Sequence, residues 1–99
     1  MGIIFGAIIE QTFSHMRIED IRESIEVIAL FRKGELLPLR FRWKGRVYRV
    51  NRINGGWRTD EGTARFHHFA VMTGGTDVYE LSYNESTHDW KIEKVSLVG

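Results

Sequence analysis

His67 and His68 stand side by side in RFHHFAVM, and with His88 and the serines at 82, 86 and 96 they are the first residues to weigh for chemistry. Neighbouring positions of a strand project to opposite faces, so the two adjacent imidazoles do not ligate one ion together. His67 needs a partner from another strand, such as His88 or Asp77, and no spacing of the HExxH kind supplies one. A small-ligand or metal site near His67, His68 and His88 therefore stands only as an alternative reading, and no metal or cofactor is assigned. None of the serines sits in a nucleophile elbow, and the carboxylates are scattered rather than paired around a predicted pocket. The sequence contains no cysteine, which excludes thiol nucleophiles, thiolate metal sites and disulfides. No catalytic residue is nominated, and the expectation is a protein that is not an enzyme.

The arginines point to binding instead. In RFRWKGRVYRV, Arg40 to Val50, cationic and apolar side chains alternate on both sides of Lys44-Gly45. If that pair is a two-residue turn, residues whose numbers sum to 89 face each other. Leu39, Phe41 and Trp43 then share an aromatic face with Val50, Tyr48 and Arg46, while Arg40, Arg42 and Lys44 share the other with Arg49 and Val47. Lysine is a poor first residue for a primed turn, so a slightly wider loop with shifted register is the alternative. Cations at alternate positions project about 7 Å apart, commensurate with the phosphates of a single strand. The same alternation sends Phe41, Trp43 and Tyr48 away from the cations. That leaves Trp57, expected in a glycine-rich loop at NGGW and followed by Arg58, as the ring accessible to a base or partner. The expected binding residues are Arg40, Arg42, Arg49, Trp57 and Arg58, and the expected partner is nucleic acid or an acidic protein.

Charge is unevenly distributed. From Arg32 to Arg58 there are nine basic residues against the single acid Glu35, whereas the remainder carries five basic residues against twelve acids. Such polarity marks a surface for phosphates or an acidic partner unless the basic strands are neutralised in space by neighbours such as Glu80 or Glu93.

The elements that must position these residues read as strands. RIEDIRES, residues 17–24, places Ile18 and Ile21 three apart and predicts a short helical turn. Period-two patterning follows through Ile25, Val27, Ala29 and Phe31, then the turn RKGE, the basic hairpin, a loop over NGGWRTDEGTA, and the strands RFHHFAVM, VYELSY and DWKIEKVSL. Pro38 cannot donate to a ladder and belongs at an edge or bulge. Across the NEST loop, numbers summing to 171 set Tyr83, Leu81 and Tyr79 against His88, Trp90 and Ile92. Trp43, Tyr48, Leu81 and Trp90 are expected in one core. The fold class is all-β with one short N-terminal helical turn, an antiparallel meander of about six strands forming a twisted sheet or half-open barrel.

Residues 1–15 read as an apolar N-terminal extension and 16–99 as a single β domain. The apolar start is interrupted at Glu10, far short of the roughly 20 residues that span a bilayer, and it lacks the flanks of an export signal. A cytoplasmic protein with no membrane partner is expected. Ile3, Ile4, Ile8 and Ile9, or an edge strand near Ile25, offer a second class of function, a homo-oligomeric structural or interaction module.

Pro38, Arg40, Phe41, Trp43, Lys44, Gly45, Arg46, Tyr48 and Val50 carry a resemblance to a family of small uncharacterised bacterial proteins, a domain of unknown function. It continues more loosely through Trp57, the His67–Phe69 strand, VYELSYN and DWKIEKV, covering residues 36–95. The resemblance implies a compact β domain and, through relatives that sit beside error-prone DNA polymerases, a place in DNA metabolism. It implies no catalytic residue.

Overall fold

Alternating β-branched and aromatic residues produce seven strands in the computed structural model, which describes residues 16–98. They are β1 (Met16–Arg32), β2 (Glu35–Trp43), β3 (Arg46–Arg49), β4 (Arg52–Glu61), β5 (Ala64–Met72), β6 (Val78–Asn84) and β7 (Trp90–Val98). One antiparallel sheet has the order β3-β2-β1-β7-β6-β5-β4. The long β1 serves two ladders in turn, pairing with β7 from Met16 to Ile25 and with β2 from Glu26 to Arg32. β3 and β4 end the order, and because the two β1 ladders meet at Ile25 without overlapping, each half of β1 has a ladder partner on one side only; the apolar extension at residues 1–15 lies outside the described residues.

Those two edges are nearly continuous along the chain. The Val50 amide donates to the Leu39 carbonyl at 2.9 Å, and the next amide, Asn51, donates to Met72 at 2.8 Å. The chain thus leaves the β2 ladder and joins the β5 ladder within one residue. No ladder joins β3 to β4, so the sheet curls without closing. The expected all-β antiparallel class holds, with seven strands in place of six.

The extra strand and the missing helix have local causes. Residues 17–24 belong to β1, and no helix occurs among the described residues, hence none long and apolar enough to cross a membrane. Asp20 pairs with Lys94 but Glu23 pairs with Ile92, so β1 carries one extra residue there, and Arg22 takes a φ of 56°. Ile18 and Ile21, whose three-residue spacing imitates a helix, are strand positions that part here: Ile21 packs against the core and Ile18 is 59% exposed. The expected NGGW loop is likewise strand, because β4 pairs with β5 through Gly55–Ala70, Gly56–Phe69 and Trp57–His68. A Cβ at Gly56 would lie 3.3 Å from the His68 carbonyl oxygen and 3.8 Å from the Phe69 ring, so the glycine admits a close crossing.

Lys44 and Gly45 have φ values of 52° and 73°, the left-handed pair of a type I′ turn, and Lys33-Gly34 repeats it at 51° and 78°. The basic hairpin therefore takes the two-residue turn, with Arg40 opposite Arg49, Phe41 opposite Tyr48 and Trp43 opposite Arg46. Lys44 Nζ lies 4.8 Å over the Trp43 ring, a cation–π contact that offsets part of the backbone cost. Leu39, expected on the aromatic face, is exposed because a bulge between Ile28 and Ala29 expels it, while Pro38 beside the bulge is fully buried.

The second aromatic ladder is two residues out of the expected register: Tyr83 faces Trp90 and Leu81 faces Ile92. Asn84 is the reason. Its side-chain oxygen accepts from the Ser86 and Thr87 amides at 2.9 and 3.3 Å, its own amide donates to Asp89, and His88 turns at a φ of 64°. A shift of two preserves the faces.

Phe41, Phe69, Val71, Tyr79, Leu81, Ile92 and Val95 form the core, with Trp43, Tyr48 and Trp90 half-buried against it. The aromatic face of the β2–β3 hairpin folds onto β6, placing Phe41 5.6 Å and Tyr48 5.5 Å from the Tyr79 ring. Burying a side chain such as Phe41 contributes about 1.5 to 3 kcal/mol. Trp43 keeps its polar edge satisfied by donating from Nε1 to Glu23 at 3.1 Å.

Candidate functional site

Because Phe41 and Tyr48 are held inward, the residues flanking them must point out. Arg40, Arg42 and Arg49 are all exposed on the outer face of β2 and β3. Arg40 sits directly opposite Arg49; Arg42 sits between Glu26 of β1 and Val47 of β3. Among the described residues no carboxylate lies within 4 Å of any of the three. The ion pairs there are Arg17–Glu19, Arg65–Asp60, Lys94–Glu80 and those of His67 and His68. Neither acid expected to neutralise the ribbon does so: Glu80 faces Lys94 at 3.7 Å, and Glu93 accepts from the buried Ser82 hydroxyl at 2.6 Å. Interleaved with the arginines are aliphatic side chains left in the open, Ile28 at 53% and Val47 at 54% exposure, with Leu30 further along β1.

Trp57 and Arg58 belong elsewhere, on the edge strand β4. Trp57 stacks on His68 with ring centroids 5.2 Å apart and planes 5° from parallel, and remains 43% exposed. Arg58 pairs in register with His67. The structure thus divides the expected binding residues between two places, a basic face and a cleft.

The histidines separate as strand geometry requires. His67 donates from Nε2 to Glu85 Oε2 at 2.8 Å, and this hydrogen bond holds the Glu85 carboxyl below the usual glutamate range. His68 takes the opposite face, sharing a hydrogen bond with Thr59 Oγ1 at 2.8 Å; its buried Nδ1 has no hydrogen-bond partner, with Glu80 Oε2 at 3.7 Å. His88 Nδ1 shares a hydrogen bond with the Tyr83 hydroxyl at 2.9 Å. Among the described residues no three His, Cys, Asp or Glu side chains converge closely enough to hold a metal ion.

His67, Tyr83 and His88 line an open cleft of about 1020 Å³ between the β1–β2 turn and strands β4 to β6. Sequence reasoning missed its other wall. Phe31, read as one more apolar strand residue, is 69% exposed there, its ring centroid 6.3 Å from that of Tyr83 with the planes 68° apart, next to Arg32 and Lys33. The available signal was an aromatic residue directly before the basic turn RKGE, where a hairpin tip leaves the core.

No curated protein and no solved structure matches the chain. A family model does, described as Domain of unknown function (DUF6504) and matching residues 16–96, from the start of β1 into β7. The chain belongs to this DUF6504 family.

Proposed function

We propose that the domain is a non-enzymatic nucleic-acid-binding module that lays the backbone of a single strand along its outer β1–β2–β3 face. The observation that carries this reading is that Arg40, Arg42 and Arg49 share that face with no carboxylate within 4 Å among the described residues. Each guanidinium pairs with a phosphate and releases condensed counterions, a gain that does not depend on base identity. Ile28 and Val47 between the cations suit the faces of unpaired bases better than the charged exterior of a duplex. Little sequence preference follows. Fluorescence anisotropy of labelled oligonucleotides tests this at low salt: single strands of unrelated sequence should bind alike and more tightly than their duplexes. Tighter duplex binding, or none to either, contradicts it.

A second reading, docking of an acidic protein surface, is favoured by the same aliphatic residues, with Leu30 added. Competition separates the two. Polyglutamate displacing the oligonucleotide only at large excess supports nucleic acid, and efficient displacement by polyglutamate supports the acidic partner.

A further inference from the structure

We infer that the cleft between the β1–β2 turn and strands β4 to β6 binds a nucleotide unit, its base stacked on Phe31 and its phosphate held by Lys33 and Arg58. Internal packing does not account for Phe31: the ring is 69% exposed, and the Tyr83 ring, 6.3 Å away with its plane at 68°, is not stacked on it. An aromatic face left open in a concave site is a stacking platform for a flat heterocycle. The volume, about 1020 Å³, accommodates such a ligand.

Charge supplies the second half of the ligand. Four cations line the cleft, Arg32 and Lys33 on one wall and Arg58 and Arg65 on the other, against the carboxylates Glu35 and Glu85. Glu85 is taken by His67 at 2.8 Å and Arg65 by Asp60 at 3.4 Å. Lys33 and Arg58, like Arg32, line the cleft with no carboxylate within 4 Å among the described residues, which leaves them as partners for an anion. The Tyr83 hydroxyl and His88, hydrogen-bonded to each other at 2.9 Å, also line the cleft. A bare phosphate leaves Phe31 uncovered, and a purely apolar ligand desolvates two cations without partners. A nucleotide satisfies both, whether free or as an unpaired unit of a strand.

An amide-resolved NMR titration of the full chain with AMP, inorganic phosphate and a short oligodeoxyadenylate tests the site. AMP should shift the amides of Phe31, Lys33, Trp57, Arg58 and Tyr83, and phosphate should shift them far less. If AMP is silent but the oligonucleotide moves the same amides, the nucleotide unit is recognised within a strand. Phe31→Ala should weaken the response about tenfold, the scale of one base–aromatic contact. Phe31→Leu, which keeps bulk without the π face, should weaken it too and guards against a misfolded alanine variant. The paired change Arg40→Glu and Arg42→Glu should leave AMP binding unchanged, so failure of the outer face is distinguishable from failure of the cleft. Silence from both nucleotide probes, phosphate acting as strongly as AMP, or full binding by both folded Phe31 variants overturns the proposal.

Discussion

Arg40 and Arg49 face each other across the β2–β3 ladder, like charges in direct register with no carboxylate within 4 Å of either among the described residues. Directly opposed like charges destabilise a sheet, and opposed unlike charges contribute roughly 0.2 to 1 kcal/mol. Stability and binding should therefore move in opposite directions. Arg49→Glu is expected to raise unfolding stability by about 0.5 to 1 kcal/mol in a denaturant titration, while weakening oligonucleotide binding. A variant that loses stability would show that Arg49 has a structural partner.

Trp90 packs 4.9 Å from the Tyr83 ring and 5.9 Å from Phe69, joining β7 to the aromatic side of β5 and β6. It is half-buried, so truncation should fall at the lower end of the range for large core residues. Trp90→Ala is expected to cost about 3 kcal/mol by chemical denaturation. A cost under about 1 kcal/mol is the signature of a surface residue and contradicts this packing.

Tyr79 should set an alkaline limit. Burial first, then the neighbouring Tyr48, push its hydroxyl above the ordinary tyrosine value of about 10. The folded state thus favours the neutral phenol. Its contribution is fully present below the unfolded pKa and disappears as pH rises through the folded one. Thermal melts should show a loss of stability above about pH 10 that Tyr79→Phe reduces, and an unchanged alkaline limb in that variant would assign the effect elsewhere.

Glu85 works at the other end of the scale. The hydrogen bond from His67 lowers its pKa, so the stability it contributes is present above the ordinary glutamate value and is lost as pH falls through the depressed one. Glu85→Gln should flatten the acid limb of the melting curve and shift the His67 ring signals in NMR. His67 resonances identical to wild type in that variant would show that the pair is not formed.

Much of this architecture is legible in the chain, and the failures share a cause. The Lys44-Gly45 turn fixes the register of the basic hairpin because a two-residue loop leaves no freedom, and alternation then assigns Phe41 and Arg40 to opposite faces. Arg22, Leu39 and Asn84 defeat the same logic. The spacing of Ile18 and Ile21 beside the Arg22 bulge looks helical, a bulge beside Ile28 turns Leu39 outward, and the Asn84 side chain lengthens its turn so that Tyr83 meets Trp90. Strand periodicity carries no mark of one inserted residue. Trp57 and Arg58 were sound candidates for exposure, but their distance from Arg40 along the sheet order depends on where β4 pairs, which Gly55 and Gly56 obscure. The cleft was least visible, since Phe31 reads as core until the hairpin tip is seen to overhang the sheet.

The salt dependence of single-strand binding, measured for the wild type and for the double variant Arg40→Glu and Arg42→Glu, tests the central claim most directly. Three or four phosphate contacts predict that the logarithm of affinity falls against the logarithm of salt concentration with a slope of roughly −2 to −4. The double variant should lose this binding while its stability stays within about 1 kcal/mol of wild type, as for other exposed positions. No binding by the wild type at low salt, or a folded double variant that binds with the same affinity and slope, contradicts the account.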